Sequence, residues 1–261
     1  MIQNKEDHRT KDIEFFKKQT NFSREQLNHF KRMKVLILSP IFIAEPKWVR
    51  CVSNMIALSW NFGLRVEKMA IAERMVIDWA REGLTEEALR DVSYIDGKKY
   101  THFLWLDADH IFDPDMALNL AKHNVDAVSA LYYSKSDNYF PVAYAPVKDD
   151  AKHPMHYPIL SIPNMLWPVG AFGFGACLIH RRVFEGVPQP WFTLDYRCGE
   201  DFAFCTKARQ HGFKFHVDGN YKIEHIGLGQ VFGEKDLKKY LKEHPEIIEG
   251  GVKKIEKGEN L

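Results

Sequence analysis

Short apolar runs in this chain are separated by stretches where apolar residues recur every three or four positions. "VLIL" at 35–38, closed by Ser39 and Pro40, has the length and composition of a buried strand. "THFLWL" at 101–106 and "VDAVSALYY" at 125–133 repeat that pattern. Helical spacing fills "KWVRCVSNMIALSW" at 47–60, whereas the run from Leu64 to Tyr100 mixes helix and loop signals. Asp113 and Pro114 predict a helix start, an acidic N-cap before a first-turn proline, and the helix should continue to Asn124. Strand, helix and strand in this order predict a parallel βαβ unit. The expected fold is therefore α/β, a mixed and mainly parallel sheet flanked by helices, with its ligand crevice beyond the carboxyl ends of the strands.

Residues 134–168 are rich in proline and aromatics and read as irregular. "VGAFGFGACLIHRRVF" predicts a loop and then a strand, with Gly170, Gly173 and Gly175 allowing close backbone approach. "GEDFAFCTKARQHG" predicts a helix opened by acids and closed by Gly212. "FKFHVD" and "YKIEHIG" alternate as two short strands, and the segment after Gly233 forms an amphipathic helix aligning Leu237, Tyr240 and Leu241. Upstream of the first strand, Ser23 and Gln26 fit a capping box with Leu27 and Phe30 behind it. These signals divide the chain into a helical extension at 1–33, one main domain at 34–232, and a C-terminal helix and tail at 233–261.

Composition adds limits. Of 261 residues, 45% are hydrophobic and 27% charged, enough apolar material for one sizeable core. Lys and Arg total 36 against 35 Asp and Glu, a balance that gives no support for a nucleic-acid binder, which should carry a basic stripe. Cys51, Cys177, Cys198 and Cys205 lack metal-ligand spacing and read as buried free thiols, suited to a reducing cytoplasm. No apolar run approaches the ~20 residues that cross a bilayer, and the polar start "MIQNKEDHRT" is not a secretory signal.

The chemistry gathers where "THFLWL" runs into Asp107, Asp109, Asp113 and Asp115. Crowded carboxylates repel, so something positive must compensate them. Asp107 and Asp109, two apart on extended backbone, would point the same way and converge on a hard cation such as Mg²⁺, Mn²⁺ or Ca²⁺. Asp113 needs no more than its capping role. Glu200 and Asp201 open a helix, where the dipole favours acids even without a functional role. His225 ends a strand and could add a ring nitrogen to a metal shell; a structural histidine is the plainer alternative.

Taken in order, these segments resemble the GT-A glycosyltransferases, especially family-2-like enzymes, including some encoded by phages. "LWLDADHIFDPD" is similar to the family's DxD motif behind a hydrophobic strand. "VGAFGFGACLIHRRVFE" is similar to its glycine-containing strand, "GEDFAFCTKARQHGFKFHVD" to its xED helix and following strand, and "IEHIG" to its late metal-binding histidine. The resemblance implies that Asp109 and His225 hold Mn²⁺ or Mg²⁺ against the diphosphate of a nucleotide-sugar, a UDP-sugar by family preference. Asp107 would share the metal environment and face the ribose or sugar. Asp201 would be the general base toward a carbohydrate or glycoconjugate acceptor, with inversion, and Glu200 would meet acceptor hydroxyls or only favour the helix start. The nucleotide would rest near Pro40 and Phe42.

Arg74 is similar to a family arginine that meets the nucleotide; an ion pair with Asp78 is the alternative. Lys222 would reach phosphate or simply face solvent. Gly173 would border the acceptor region, and Trp167, Trp191 and Tyr196 would stack on sugar rings or serve as core, with Trp191 the best placed for stacking. The glycine-bearing segment "GLGQVFGEKDLKKYLKE" at 227–243, helix included, would fold over the nucleotide and exclude water. An aspartate that holds the base in many family members is not evident, and the QxxRW motif of processive synthases is absent, which favours single additions. Two rivals stand. One is a haloacid-dehalogenase-type phosphohydrolase, although His110, Ile111 and Phe112 replace its usual residues after DxD. The other is a non-catalytic nucleotide- or carbohydrate-binding protein.

Overall fold

The computed structural model describes residues 21–136, 138–145, 157–194, 199–227 and 230–247. The elements run α1 (Arg24–Phe30), β1 (Lys34–Ile41), α2 (Pro46–Asn61), β2 (Arg65–Glu73), α3 (Ile77–Arg90), β3 (His102–Leu106), β4 (His110–Ile111), α4 (Met116–Ala121) and β5 (Ala127–Leu131). They continue as β6 (Ala143–Ala145), β7 (Tyr157–Pro158), β8 (Leu166–Val169), β9 (Ala171–Phe172), β10 (Ala176–His180), α5 (Arg181–Gly186) and α6 (Glu200–Gln210). The last are β11 (Phe215–Lys222), β12 (Glu224–Gly227), β13 (Gln230–Phe232) and α7 (Glu234–Glu243).

A seven-stranded sheet in the order β2-β1-β3-β10-β5-β11-β8 forms the frame, the α/β class that the apolar runs predict. β1 lies parallel to β2 and β3, and β5 parallel to β11; β10 runs antiparallel between β3 and β5, and β8 antiparallel to β11. The central strands are apolar at consecutive positions because both sheet faces are covered. Leu36 and Leu38 of β1 join Phe103 and Trp105 of β3 in a layer with Leu84 and Ala88 of α3 and Phe204 and Ala208 of α6. The intervening Val35, Ile37, Leu104 and Leu106 face the other way, onto Met55 and Leu58 of α2 and Leu118 of α4. Phe30 of α1 is buried in that second layer and Leu237 of α7 in the first.

Local signals hold where they are complete in sequence. The Gln26 amide donates to Ser23 Oγ at 3.2 Å and the Ser23 amide to Gln26 Oε1 at 2.8 Å, closing the capping box. Gly212 ends α6 at φ +88°, a left-handed position that suits glycine. Cys51, Cys177 and Cys205 are free and buried, while Cys198 lies outside the described residues.

Other expectations shift. The helix after the aspartates begins at Met116 with Asp115, not Asp113, at its N-cap position, and no side chain caps it. Asp115 instead accepts a hydrogen bond from the Tyr221 hydroxyl at 2.9 Å, which ties this turn to β11. The stretch read as irregular contributes β6, β7 and β8, and "FKFHVD" and the start of "YKIEHIG" merge into one strand with a register shift between Asp218 and Lys222. That shift reorients the chain before His225.

Candidate functional site

The carboxyl ends of β1 and β3 and the amino end of β10 converge on one rim. The Asp107 amide donates to the Gly175 carbonyl at 2.9 Å. β3 stops at Leu106 and the chain turns through Ala108 and Asp109, so the two aspartates do not sit on one extended face. Each takes different partners.

Asp107 meets Arg81, whose Nη2 lies 3.2 and 3.3 Å from the two carboxylate oxygens. The same guanidinium donates through Nε to Glu200 Oε1 at 2.9 Å. Arg81 is only 3% exposed, so its pair with Glu200 is shielded from water, while the Asp107 side chain, 30% exposed, keeps one edge open to solvent. Its guanidinium carbon Cζ lies 5.6 Å from the Trp105 ring centroid and 5.4 Å from that of Phe174. Burial opposes its charge, but Asp107, Glu200 and Asp201 outweigh that penalty and raise its pKa. Part of the positive charge demanded by the aspartates is thus built into the chain. Arg81 escaped the sequence reading, although a signal exists: Arg81, Leu84, Thr85 and Ala88 form the buried stripe of α3, and an arginine on such a stripe needs partners.

Asp201, in the first turn of α6, accepts from the Phe202 amide at 2.8 Å. Burial, then repulsion from Glu200, pushes its pKa up to about 7 against the pull of Arg81. Gly173 explains how the carboxylate fits: a Cβ there would lie 2.2 Å from Tyr132 Oη and 3.3 Å from Asp201 Oδ2. Tyr132 in turn accepts from the Gly175 amide at 3.2 Å.

Asp109 belongs to a second group. β12 pairs antiparallel with β4, with His225 opposite His110, and the Ile226 amide donates to the Asp109 carbonyl at 2.7 Å. Donor atoms of Asp109, His110 and His225 all lie within 4.8 Å of one another, close enough to hold a metal ion. His225 Nδ1 is 2.9 Å from the Tyr133 carbonyl, so it carries the proton and leaves the Nε2 lone pair facing Asp109 Oδ2 at 3.5 Å. Lys135 also pairs with Asp109. Burial would raise the Asp109 pKa, but His110, His225 and Lys135 together hold it well below the usual carboxylate range. Asp107 is not in this group, and His110 and Lys135 join it unforeseen.

The remaining expected residues scatter. Pro40 ends β1 and Phe42 beyond it is 73% exposed. Arg74 is exposed at φ +53°, its amide donating to the Ile41 carbonyl at 3.1 Å, and no ion pair joins it to Asp78 among the described residues. Met75, Val76 and Trp79, which follow Arg74 in the chain, are also exposed apolar residues. Lys222 pairs with Glu234 of α7 at 2.8 Å rather than standing free. Trp191 is placed in the core, 6% exposed, with its indole N–H directed to the Phe184 and Val187 carbonyls, so neither ring face is open to a sugar. Trp167 is partly exposed on edge strand β8. Tyr196 lies outside the described residues, as do two residues of the glycine-bearing segment.

No protein-family profile matches the chain, and no curated protein matches it in sequence. Among solved structures it is similar to A197 from STIV, with a TM-score of 0.54, 17% identity, and coverage of 77% of this chain and 94% of that one. It also overlaps GalNAc-T7, solved with UDP, GalNAc and Mn²⁺, at a TM-score of 0.41 and 11% identity over 80% of this chain and 48% of that one. No helix among the described residues is long and apolar enough to cross a membrane.

Proposed function

We propose that this protein is a metal-dependent glycosyltransferase of GT-A type, moving a sugar from a nucleotide-sugar to an acceptor hydroxyl. The donor is a UDP-sugar and the acceptor a carbohydrate or glycoconjugate. One observation carries this reading: the buried Arg81 ties Asp107 to Glu200, so the acidic turn after β3 and the acidic start of α6 share one site. Neither acid motif alone is specific. Their joining at the rim where α/β sheets bind ligands supports transfer chemistry.

Asp109 and His225, with their converging donor atoms, fit a divalent ion such as Mn²⁺ or Mg²⁺. When bound, that ion would neutralise the charge that develops on a departing nucleoside diphosphate. Asp107, held by Arg81, would orient the ribose or sugar of the donor. Asp201 would accept the proton of the acceptor hydroxyl as its oxygen attacks the anomeric carbon opposite the leaving group, which gives inversion. Its pKa of about 7 suits a base working near neutrality. Glu200 would keep the guanidinium charge beside this base, and Gly173 would leave room for it. Arg74, Pro40 and Phe42 would border the nucleotide, and Lys222 on the α7 side would approach phosphate once released from Glu234.

Product analysis tests the reading. Asp201→Asn should lower transfer by at least about a hundredfold while nucleotide affinity stays within about twofold. Release of phosphate from simple esters without a nucleotide would favour the phosphohydrolase instead, and binding without turnover across donors and acceptors would favour a non-catalytic protein.

A further inference from the structure

His110 has an environment that its burial does not explain. The residue is 1% exposed, and neither ring nitrogen has a hydrogen-bond partner. Its Nδ1 lies 3.1 Å from Asp109 Oδ1, yet that oxygen also lacks a hydrogen bond. The two atoms are close but not aligned for donation. Buried polar atoms are seldom left this way unless something else satisfies them. The imidazole stacks on His225 with ring centroids 4.3 Å apart and planes 12° from parallel, an arrangement set by the β4–β12 pairing. Space has been kept for it, because a Cβ at Gly175 would lie 2.5 Å from His110 Cε1.

We infer that His110 is a third protein ligand, through Nδ1, to the ion held by Asp109 and His225, and that this donor set selects first-row transition ions over Mg²⁺ and Ca²⁺. The inference rests on the metal-site part of the proposed function and deepens it. Mg²⁺ and Ca²⁺ favour oxygen ligands and give up water reluctantly for nitrogen, whereas Mn²⁺, Co²⁺ and Zn²⁺ accept imidazole. A site with one carboxylate and two imidazoles therefore penalises the alkaline-earth ions. Lys135, paired with the same carboxylate, would have to yield it when a cation binds.

The test uses Co²⁺ and the full chain without nucleotide, so it does not depend on turnover. X-ray absorption at the cobalt edge of the one-to-one complex should count two imidazoles. Titration should show Co²⁺ and Mn²⁺ binding at least about tenfold more tightly than Mg²⁺. His110→Ala and His225→Ala should each remove one imidazole and weaken Co²⁺ by at least about tenfold. The unaltered protein decides the count even if a variant fails to fold. One imidazole in the unaltered complex, or two that persist in folded His110→Ala, would overturn the proposal. Two imidazoles with nucleotide binding indifferent to the metal would support this ligand set while removing the glycosyltransferase reading. One imidazole with metal-dependent nucleotide binding would do the reverse.

Discussion

Arg81 decides how the site is charged. Its guanidinium serves two carboxylates in a buried setting, and removing it leaves both uncompensated. Arg81→Met should therefore destabilise the protein by about 3–5 kcal/mol in urea unfolding, with Arg81→Lys losing less because one charge remains. Asp201 carries the opposite imbalance. Its raised pKa means that the folded state holds a proton more readily than the unfolded chain, so this group's contribution to stability declines as pH rises from the ordinary carboxylate range through about 7. Activity should move the other way, increasing with pH through about 7 as the base deprotonates. Asp201→Asn, incapable of ionising, should lose the activity and also flatten the alkaline side of the stability profile. Melting curves and rate profiles between pH 5 and 9, as about the working range, would read both. Neither residue's state could be read locally, since the Arg81 partners lie 26 and 119 positions away in the chain.

Elements show which signals are legible. The Ser23 capping box and the Gly212 terminus are complete within four residues and were evident from sequence. The start of α4 was not, because Asp115 is drawn to Tyr221 on β11, a tertiary contact that local cap preference does not contain. Trp191 misled for a related reason: an aromatic near the acidic helix suits a sugar platform as well as a core, and only the Phe184 and Val187 carbonyls distinguish them. The β9–β10 connection gives a testable case. Gly173→Ala would push a methyl into Tyr132 Oη and toward Asp201, so it should destabilise the fold and depress activity together. Adding Tyr132→Phe removes the hydroxyl at the closest contact and should recover part of the stability, as measured by denaturant midpoints.

At the scale of the whole molecule, the two ends of the sheet titrate differently. Opposite the site, α1, β3 and β10 bring together His29, His102 and His180, with ring centroids 6.5 Å apart for the first pair and 4.6 Å for the second. Burial, reinforced by neighbouring positive groups, lowers all three pKa values. The unfolded chain then binds protons more readily than the folded one, so stability is lost as pH falls through about 6.5 and below. His102→Gln should soften that loss without altering the alkaline limb set by Asp201. The fold class was readable because the buried runs and helical spacings repeat along the chain. The rim was readable only in part: its acidic motifs stand out, while the residues that divide them into two groups are gathered by strand pairing. The central claim is that the Asp109 group holds a cation that a nucleotide needs. Calorimetry with UDP in Mn²⁺, repeated after EDTA, tests it most directly. Binding should disappear on chelation and in Asp109→Asn; affinity that survives both would contradict the account.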